Sequence, residues 1–210
     1  MRDSKSMKYQ RIVLIFFALF FVSITGISAQ NSIFYAKRLP NGRYYTRGVV
    51  PLSLPPAKTA AILSDFAHYS RWALKGLDGK DPVSRKHIGI FKNVVYRKKE
   101  HKVILIYDIN LFWPFGSKNN EFPLDIVSME YEHNRLKSYT LYYSKSGPTI
   151  NSMLIKVSII DKKNSSAIDI SCTTDFTWLI DPIMSVKQYK KSIGGRIMLL
   201  GKNIEAMAGQ

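Results

Sequence analysis

Cysteine is nearly missing from this chain: Cys172 is the only one in 210 residues, so no intramolecular disulfide can form. Histidine is scarce as well. His68, His87, His101 and His133 stand far apart, and none lies one helical turn from another, which removes the common helix-borne metal pair. Acidic residues number 15 against 31 Lys and Arg, and no paired acidic motif occurs among them. There is no nucleophile elbow and no phosphate-cradling glycine loop. The carboxylates inside anticipated elements, Asp65, Asp108 and Glu130, fall on unrelated faces, Asp108 on the outward side of its strand. No metal site, cofactor motif or catalytic constellation is therefore legible. An acid–base site of Tyr and Asp inside a cavity would leave no such trace and stays open.

Long apolar runs are also missing, with one exception near the start. Ile12 to Val22 is an unbroken run of 11 apolar residues, preceded by Arg2, Lys5, Lys8 and Arg11 and followed by small residues ending in Ser28-Ala29. That is too short for the roughly 20 residues that span a bilayer. It has the three-part form of a secretory signal over residues 1–29, with cleavage expected after Ala29; an uncleaved anchor is the alternative. No cysteine lies near that site, so a lipid-modified N-terminus is not expected. The expected location is outside the cytoplasm, periplasmic or secreted.

What remains has the size of one domain and can bury a core without disulfides. The whole chain carries +16; losing the signal removes four basic residues and Asp3, leaving about +13. Such a balance favours anionic surfaces, and for an exported protein those are lipid headgroups or envelope polymers. Nucleic acid is not an expected partner, because the basic runs (Arg97-Lys98-Lys99, Lys162-Lys163, Lys190-Lys191) are scattered and export removes the chain from it. As solvated turns, the same runs need no partner at all.

The mature chain opens on a loose leader, residues 30–42. Arg43 to Leu52 alternates as a strand, with Tyr44, Thr46, Gly48 and Val50 on one side. Pro55-Pro56 opens a helix through Phe66, and a second short helix follows from His68 to Leu74 with Trp72 as its anchor. Six strands come next, near 88–98, 103–111, 124–132, 136–143, 153–162 and 167–176. Three have a clear inner face: Val103, Leu105, Tyr107, Ile109 and Leu111; Met153, Ile155, Val157 and Ile159; and Ile168, Ile170, Cys172, Thr174 and Phe176. Cys172 falls on an apolar face, as a structural thiol does. From Pro182 to about Met207 the apolar period becomes helical, with Ile183, Val186, Ile193, Ile197, Leu200, Ile204 and Met207. The expected fold is α+β: a seven-stranded curved antiparallel sheet wrapped around a long C-terminal helix, with two short helices after the first strand.

Three stretches carry a resemblance to a known family. Val49-Val50-Pro51-Leu52 leads into Ala57 to Trp72, a helix followed by Asp65-Phe66, Tyr69 and Trp72. Leu111-Phe112-Trp113-Pro114-Phe115-Gly116 precedes Glu121-Phe122-Pro123-Leu124, and Trp178 to Pro182 opens the last helix. Together they resemble the START-like, or SRPBCC, superfamily, whose helix-grip fold includes polyketide-cyclase-like proteins, lipid-transfer START domains and the birch-pollen allergen group. The likeness covers residues 43–208. It departs at Ser117-Lys118-Asn119-Asn120, where bacterial START proteins usually carry an Arg-Asp pair.

The resemblance implies a cavity between sheet and closing helix that holds a hydrophobic small molecule or lipid, with no cofactor. Its expected walls are Leu105, Tyr107, Ile155, Val157, Ile170 and Cys172 on the sheet and Ile193, Ile197 and Leu200 on the helix, with Trp113 and Phe115 at the rim. Tyr107, Tyr142 and Thr174 are candidate polar anchors or satisfied core groups. Gly194-Gly195, mid-helix, either leaves room for ligand and lets the helix bend as a lid, or permits close packing. The function expected is exported binding or transport of a hydrophobic ligand. The alternatives are a cyclase- or hydrolase-like enzyme, and an envelope interaction protein with a collapsed cavity.

Overall fold

The computed structural model describes residues 33–76, 89–109, 117–144, 150–178 and 180–209. Among these residues eight strands form: β1 (Ile33–Arg38), β2 (Tyr44–Leu52), β3 (Gly89–Arg97), β4 (Lys102–Ile109), β5 (Ser117–Glu132), β6 (Arg135–Tyr143), β7 (Ile150–Asp161) and β8 (Ser166–Phe176). They make one sheet in the order β1-β2-β8-β7-β6-β5-β4-β3, antiparallel at every step. From β3 to β8 the chain meanders; the ladder between β2 and β8 joins its beginning to its end.

The strands form where side chains alternate. In β2, Tyr44, Thr46 and Val50 are buried, and in β8 Ile168, Ile170, Cys172, Thr174 and Phe176 are buried, so one face of the sheet is continuously apolar. The two-residue turn His133-Asn134 takes φ of 52° and 60°, the left-handed pair that matches the twist of the flanking strands β5 and β6. Register shifts between Ile126 and Ser128, and between Phe91 and Asn93, insert bulges that increase the local twist.

Several boundaries differ from the expectation. Residues 33–38, read as leader, form β1 and pair with β2, Phe34 opposite Gly48 and Ala36 opposite Thr46. The sheet thus has eight strands, not seven. Strand β5 begins at Ser117 rather than Leu124, because the polar stretch Ser117–Asn120 pairs with Tyr107 and Ile109 despite having no apolar alternation. The signal segment, Trp113 and Phe115 lie outside the described residues.

A short helix, Pro56–Ser64, follows β2, with a 3-10 turn Phe66–His68 and a π-helical turn Ser70–Leu74 behind it. Pro56 sits where its missing N–H costs nothing. The closing helix is Val186–Ala208. It starts later than Pro182, because Asp181–Ile183 is a separate 3-10 turn and Ser185 caps the helix proper. The Ser185 hydroxyl accepts from the Gln188 N–H (3.2 Å), and the Gln188 side chain accepts from the Ser185 N–H (2.9 Å).

Closing helix and sheet meet most closely over β1 and β2. Phe34 covers Gly48 so tightly that a Cβ there would stand 2.2 Å from its ring, and the same ring lies 3.7 Å from where a Gly194 Cβ would be. Gly201 abuts Val50, whose Cγ1 would be 2.5 Å from an added Cβ. These sites give opposite expectations for alanine. Gly194→Ala adds an ordinary contact and gains about 1 kcal/mol of helix propensity. Gly201→Ala must displace a stiff β-branched side chain, so overpacking of about 1–3 kcal/mol outweighs the same gain. Urea unfolding of both variants tests this, and a stabilised Gly201→Ala protein would contradict the packing described.

Candidate functional site

Away from β1 and β2 the closing helix stands clear of the sheet, and a cavity of about 170 Å³ opens beneath it. The strands β4 to β8 form its floor, the closing helix its roof, and the Ser70–Leu74 turn one side. Eight of the nine expected wall residues meet around this space: Leu105, Ile155, Val157, Ile170 and Cys172 from the sheet, with Ile193, Ile197 and Leu200 from the helix. The sheet register brings them together, since Ile155 pairs with Cys172 and Val157 with Ile170.

Tyr107 is the exception. It lies two residues beyond Leu105, pairs with Asn120 and does not line the cavity; Phe122, level with Leu105, does line it and stacks on Tyr143 with ring centroids 4.0 Å apart. Burial, and then the nearby Tyr143, raise the Tyr107 pKa. Tyr142 is not in the wall either: it alternates with Leu141, which is, and so takes the opposite face. Neither Gly194 nor Gly195 lines the cavity; Gly194 faces Phe34, with room for a Cβ at ordinary contact distance.

Other wall residues were missing from the sequence reading. Trp72, fully buried, donates its indole N–H to the Asp65 carbonyl at 3.0 Å and meets Tyr69 edge-on at 4.7 Å. Tyr139 meets Phe66 edge-on at 5.2 Å. Their aromatic character was visible, but not that a π-helical turn aims Trp72 inward. Tyr189 and Arg196 come from the closing helix.

The polar groups in the wall largely satisfy one another. The Tyr189 hydroxyl donates to the Cys172 carbonyl (3.2 Å) and lies 3.0 Å from the Thr174 hydroxyl, which is 3.5 Å from the Cys172 sulfur. Burial pushes the Cys172 thiol and the Tyr69, Tyr139 and Tyr189 phenols up, so all four are neutral at pH 7. Arg196 is different. Desolvation pulls its guanidinium down to about 10, which leaves it charged at neutral pH.

The carboxylates are engaged elsewhere. Asp108 accepts from the Asn119 N–H at 2.8 Å and pairs with Lys92 at 3.0 Å; these contacts hold it below the usual carboxylate range, and it is not in the cavity wall. His68 pairs with Asp65 at the helix end, 2.7 Å apart. Among the described residues no cluster of His, Cys, Asp and Glu could hold a metal ion, and no helix is long and apolar enough to cross a membrane.

No family model and no curated protein matches the sequence. Solved structures do match in shape. A conserved protein from Geobacillus kaustophilus superposes with a TM-score of 0.55 at 9% identity, covering 79% of this chain and 95% of that one. Ara h 8.0201 gives 0.52 at 12% identity, over 79% and 97% of the two chains. The Zhui aromatase/cyclase from a Streptomyces species gives 0.52 at 6% identity, over 80% and 94%. The fold is the START-like helix grip. At such identities the likeness extends to the fold alone, and the START-like frame leaves each side chain of the cavity to be argued from its own chemistry.

Proposed function

We propose that the protein is exported and binds or carries a hydrophobic small molecule or lipid in the cavity between sheet and closing helix. The observation that carries this reading is the wall itself: apolar on sheet and helix apart from Arg196, with neutral phenol, hydroxyl and thiol groups that bond to each other. Its size bounds the ligand. A protein cavity of roughly 150 Å³ lined by aliphatic and aromatic side chains holds one benzene. At about 170 Å³ this cavity takes a group of that size, and a longer ligand requires the helix or a neighbouring loop to give way.

Solvent extraction of the purified protein followed by mass spectrometry tests the proposal, alongside titration with fluorescent fatty-acid and sterol probes. A retained or titratable hydrophobic ligand supports it. A clean extract together with no probe uptake sinks it. The aromatase/cyclase likeness makes a cyclase the competing reading, but the neutral phenols and thiol facing the cavity suit retention better than proton transfer near pH 7.

The basic surface is proposed to dock on anionic membrane. Trp178 is 80% exposed two residues after the wall residue Phe176, and Lys187, Lys190 and Lys191 are exposed on the first turns of the closing helix. An exposed Trp together with exposed lysines is the composition that lies at a headgroup layer, each base contributing about 1 kcal/mol there. Co-sedimentation with vesicles containing anionic lipid is expected to fall steeply as salt rises and to weaken several-fold in Trp178→Ala. Equal binding to neutral vesicles would refute it. Export is tested by fractionating cells that express the full chain or residues 30–210; the full chain should leave the cytoplasm, with the N-terminal 29 residues removed.

A further inference from the structure

Two phenols in the cavity wall stand apart from the network of Tyr189, Thr174 and Cys172. Tyr69 lies between the two short turns that follow the first helix, and Tyr139 lies on β6 opposite the wall residue Val157. They flank one ring: Phe66 is parallel to Tyr69 at 6.4 Å and edge-on to Tyr139 at 5.2 Å. Both side chains are buried, Tyr69 being 7% exposed and Tyr139 2%. Neither hydroxyl has a hydrogen-bond partner among the described residues. Yet among those residues no side-chain oxygen or nitrogen is both sealed in and unpartnered. The two hydroxyls therefore open onto free space, and the free space that both residues border is the cavity. Desolvation raises both phenol pKa values, and Tyr69 adds to the rise at Tyr139, so the oxygens themselves lie away from bulk water and within reach of one another's charge.

We propose that Tyr69 and Tyr139 are a paired donor site for an uncharged carbonyl group, and that the cavity takes a small hydrophobic carbonyl compound rather than a plain hydrocarbon. This rests on the reading of the cavity as a ligand site and names the chemical class of the ligand. A buried hydroxyl without a partner is costly, and native interiors seldom keep one. Here two are kept side by side in one wall. Each phenol is protonated at pH 7 and has its O–H to give, and a carbonyl oxygen has two lone pairs with which to accept. A charged ligand fits less well, because two neutral donors return only part of the hydration that a buried ion gives up.

The other polar groups do not compete for that oxygen. Tyr189, Thr174 and Cys172 bond among themselves, and the Trp72 indole N–H is given to the Asp65 carbonyl. The volume sets the apolar part, one aromatic ring with a short substituent.

Calorimetric titration with acetophenone and ethylbenzene, alike in shape apart from the carbonyl oxygen, tests the proposal. In a wholly apolar cavity the ketone is the weaker ligand, since its oxygen gives up water and gains no partner. Here acetophenone is expected to bind at least as tightly as ethylbenzene. Combining Tyr69→Phe with Tyr139→Phe should weaken acetophenone about tenfold or more relative to ethylbenzene, and each single change should weaken it several-fold. Each substitution removes a hydroxyl that the protein leaves unused, so the unliganded variants should melt at or above the wild-type temperature. Tyr143→Phe removes a buried phenol outside the wall and should leave the ratio of the two affinities as it is. A ratio that is the same in wild type and double variant overturns the proposal but leaves the cavity a ligand site, its hydroxyls serving a held water instead. An equal shift in Tyr143→Phe overturns it too, as does a marked fall in melting temperature in both single variants, which would show the hydroxyls bonded within the protein. Binding of neither compound removes both readings.

Discussion

Replacing Ile155 by tryptophan is expected to lower uptake of hydrophobic probes at least tenfold while leaving the protein folded. Ile155 stands in the cavity floor, with Leu141 opposite on β6 and Cys172 opposite on β8, so an indole there has the cavity as its available space. The stability term is small. Cavity volume is worth about 24 cal/mol per Å³, so filling a third of the space would contribute roughly 1 kcal/mol. Overpacking costs of about 1–3 kcal/mol oppose that gain. The melting temperature should therefore move by a few degrees at most, and uptake should move much further. Full uptake by a folded Ile155→Trp protein would place the ligand elsewhere.

Trp72→Ala should be the most damaging single change to stability, by about 3–5 kcal/mol. The side chain is fully buried, packs edge-on against Tyr69, and satisfies the Asp65 carbonyl through its indole N–H. Removing it enlarges the cavity and takes one of two donors from that carbonyl, which keeps the His68 N–H at 3.2 Å. Small domains are stable by about 5–15 kcal/mol in total, so roughly a fifth or more of the stability would go. Trp72→Phe keeps an aromatic ring but loses the N–H, and should cost less than half as much. Denaturant midpoints give both values; a loss below 1 kcal/mol for Trp72→Ala would show that the turn Ser70–Leu74 does not hold the wall.

The parts of this architecture that could be read from residues alone are those with one dry face. Strands β2 and β8 alternate so plainly that a slip of one residue would expose the core, and the closing helix declares itself by a 3.6-residue period. Edge strand β1 gave no such signal. It is six residues long, Tyr35 faces solvent, and what fixes it is the fit of Phe34 over Gly48, a long-range contact. Of the two readings open for the glycine pair, Gly194 bears on the packing one, since it faces Phe34 on a strand expected to be leader. Tyr107 shows a second limit, since alternation reveals which face a residue takes but not how far along the strand the cavity reaches. Arg196 was legible in principle, three residues after Ile193 and four before Leu200, but a charge on an amphipathic helix is ordinarily assigned to the wet side.

The ladder between β2 and β8 has a consequence for how the chain comes into being. It pairs Tyr44 with Thr174 and Leu52 with Ser166, so a strand made near the start waits for one made near the end. At synthesis rates of 5–20 residues per second the wait is roughly 6–24 s. Pairings so distant in sequence also form slowly once both partners exist. During that interval β2 has no partner on its β8 side, and the cavity floor lacks β8. For a chain proposed to cross a membrane unfolded, late completion is an advantage: the segment that would lock the sheet emerges last, so the nascent chain stays threadable until translocation has begun.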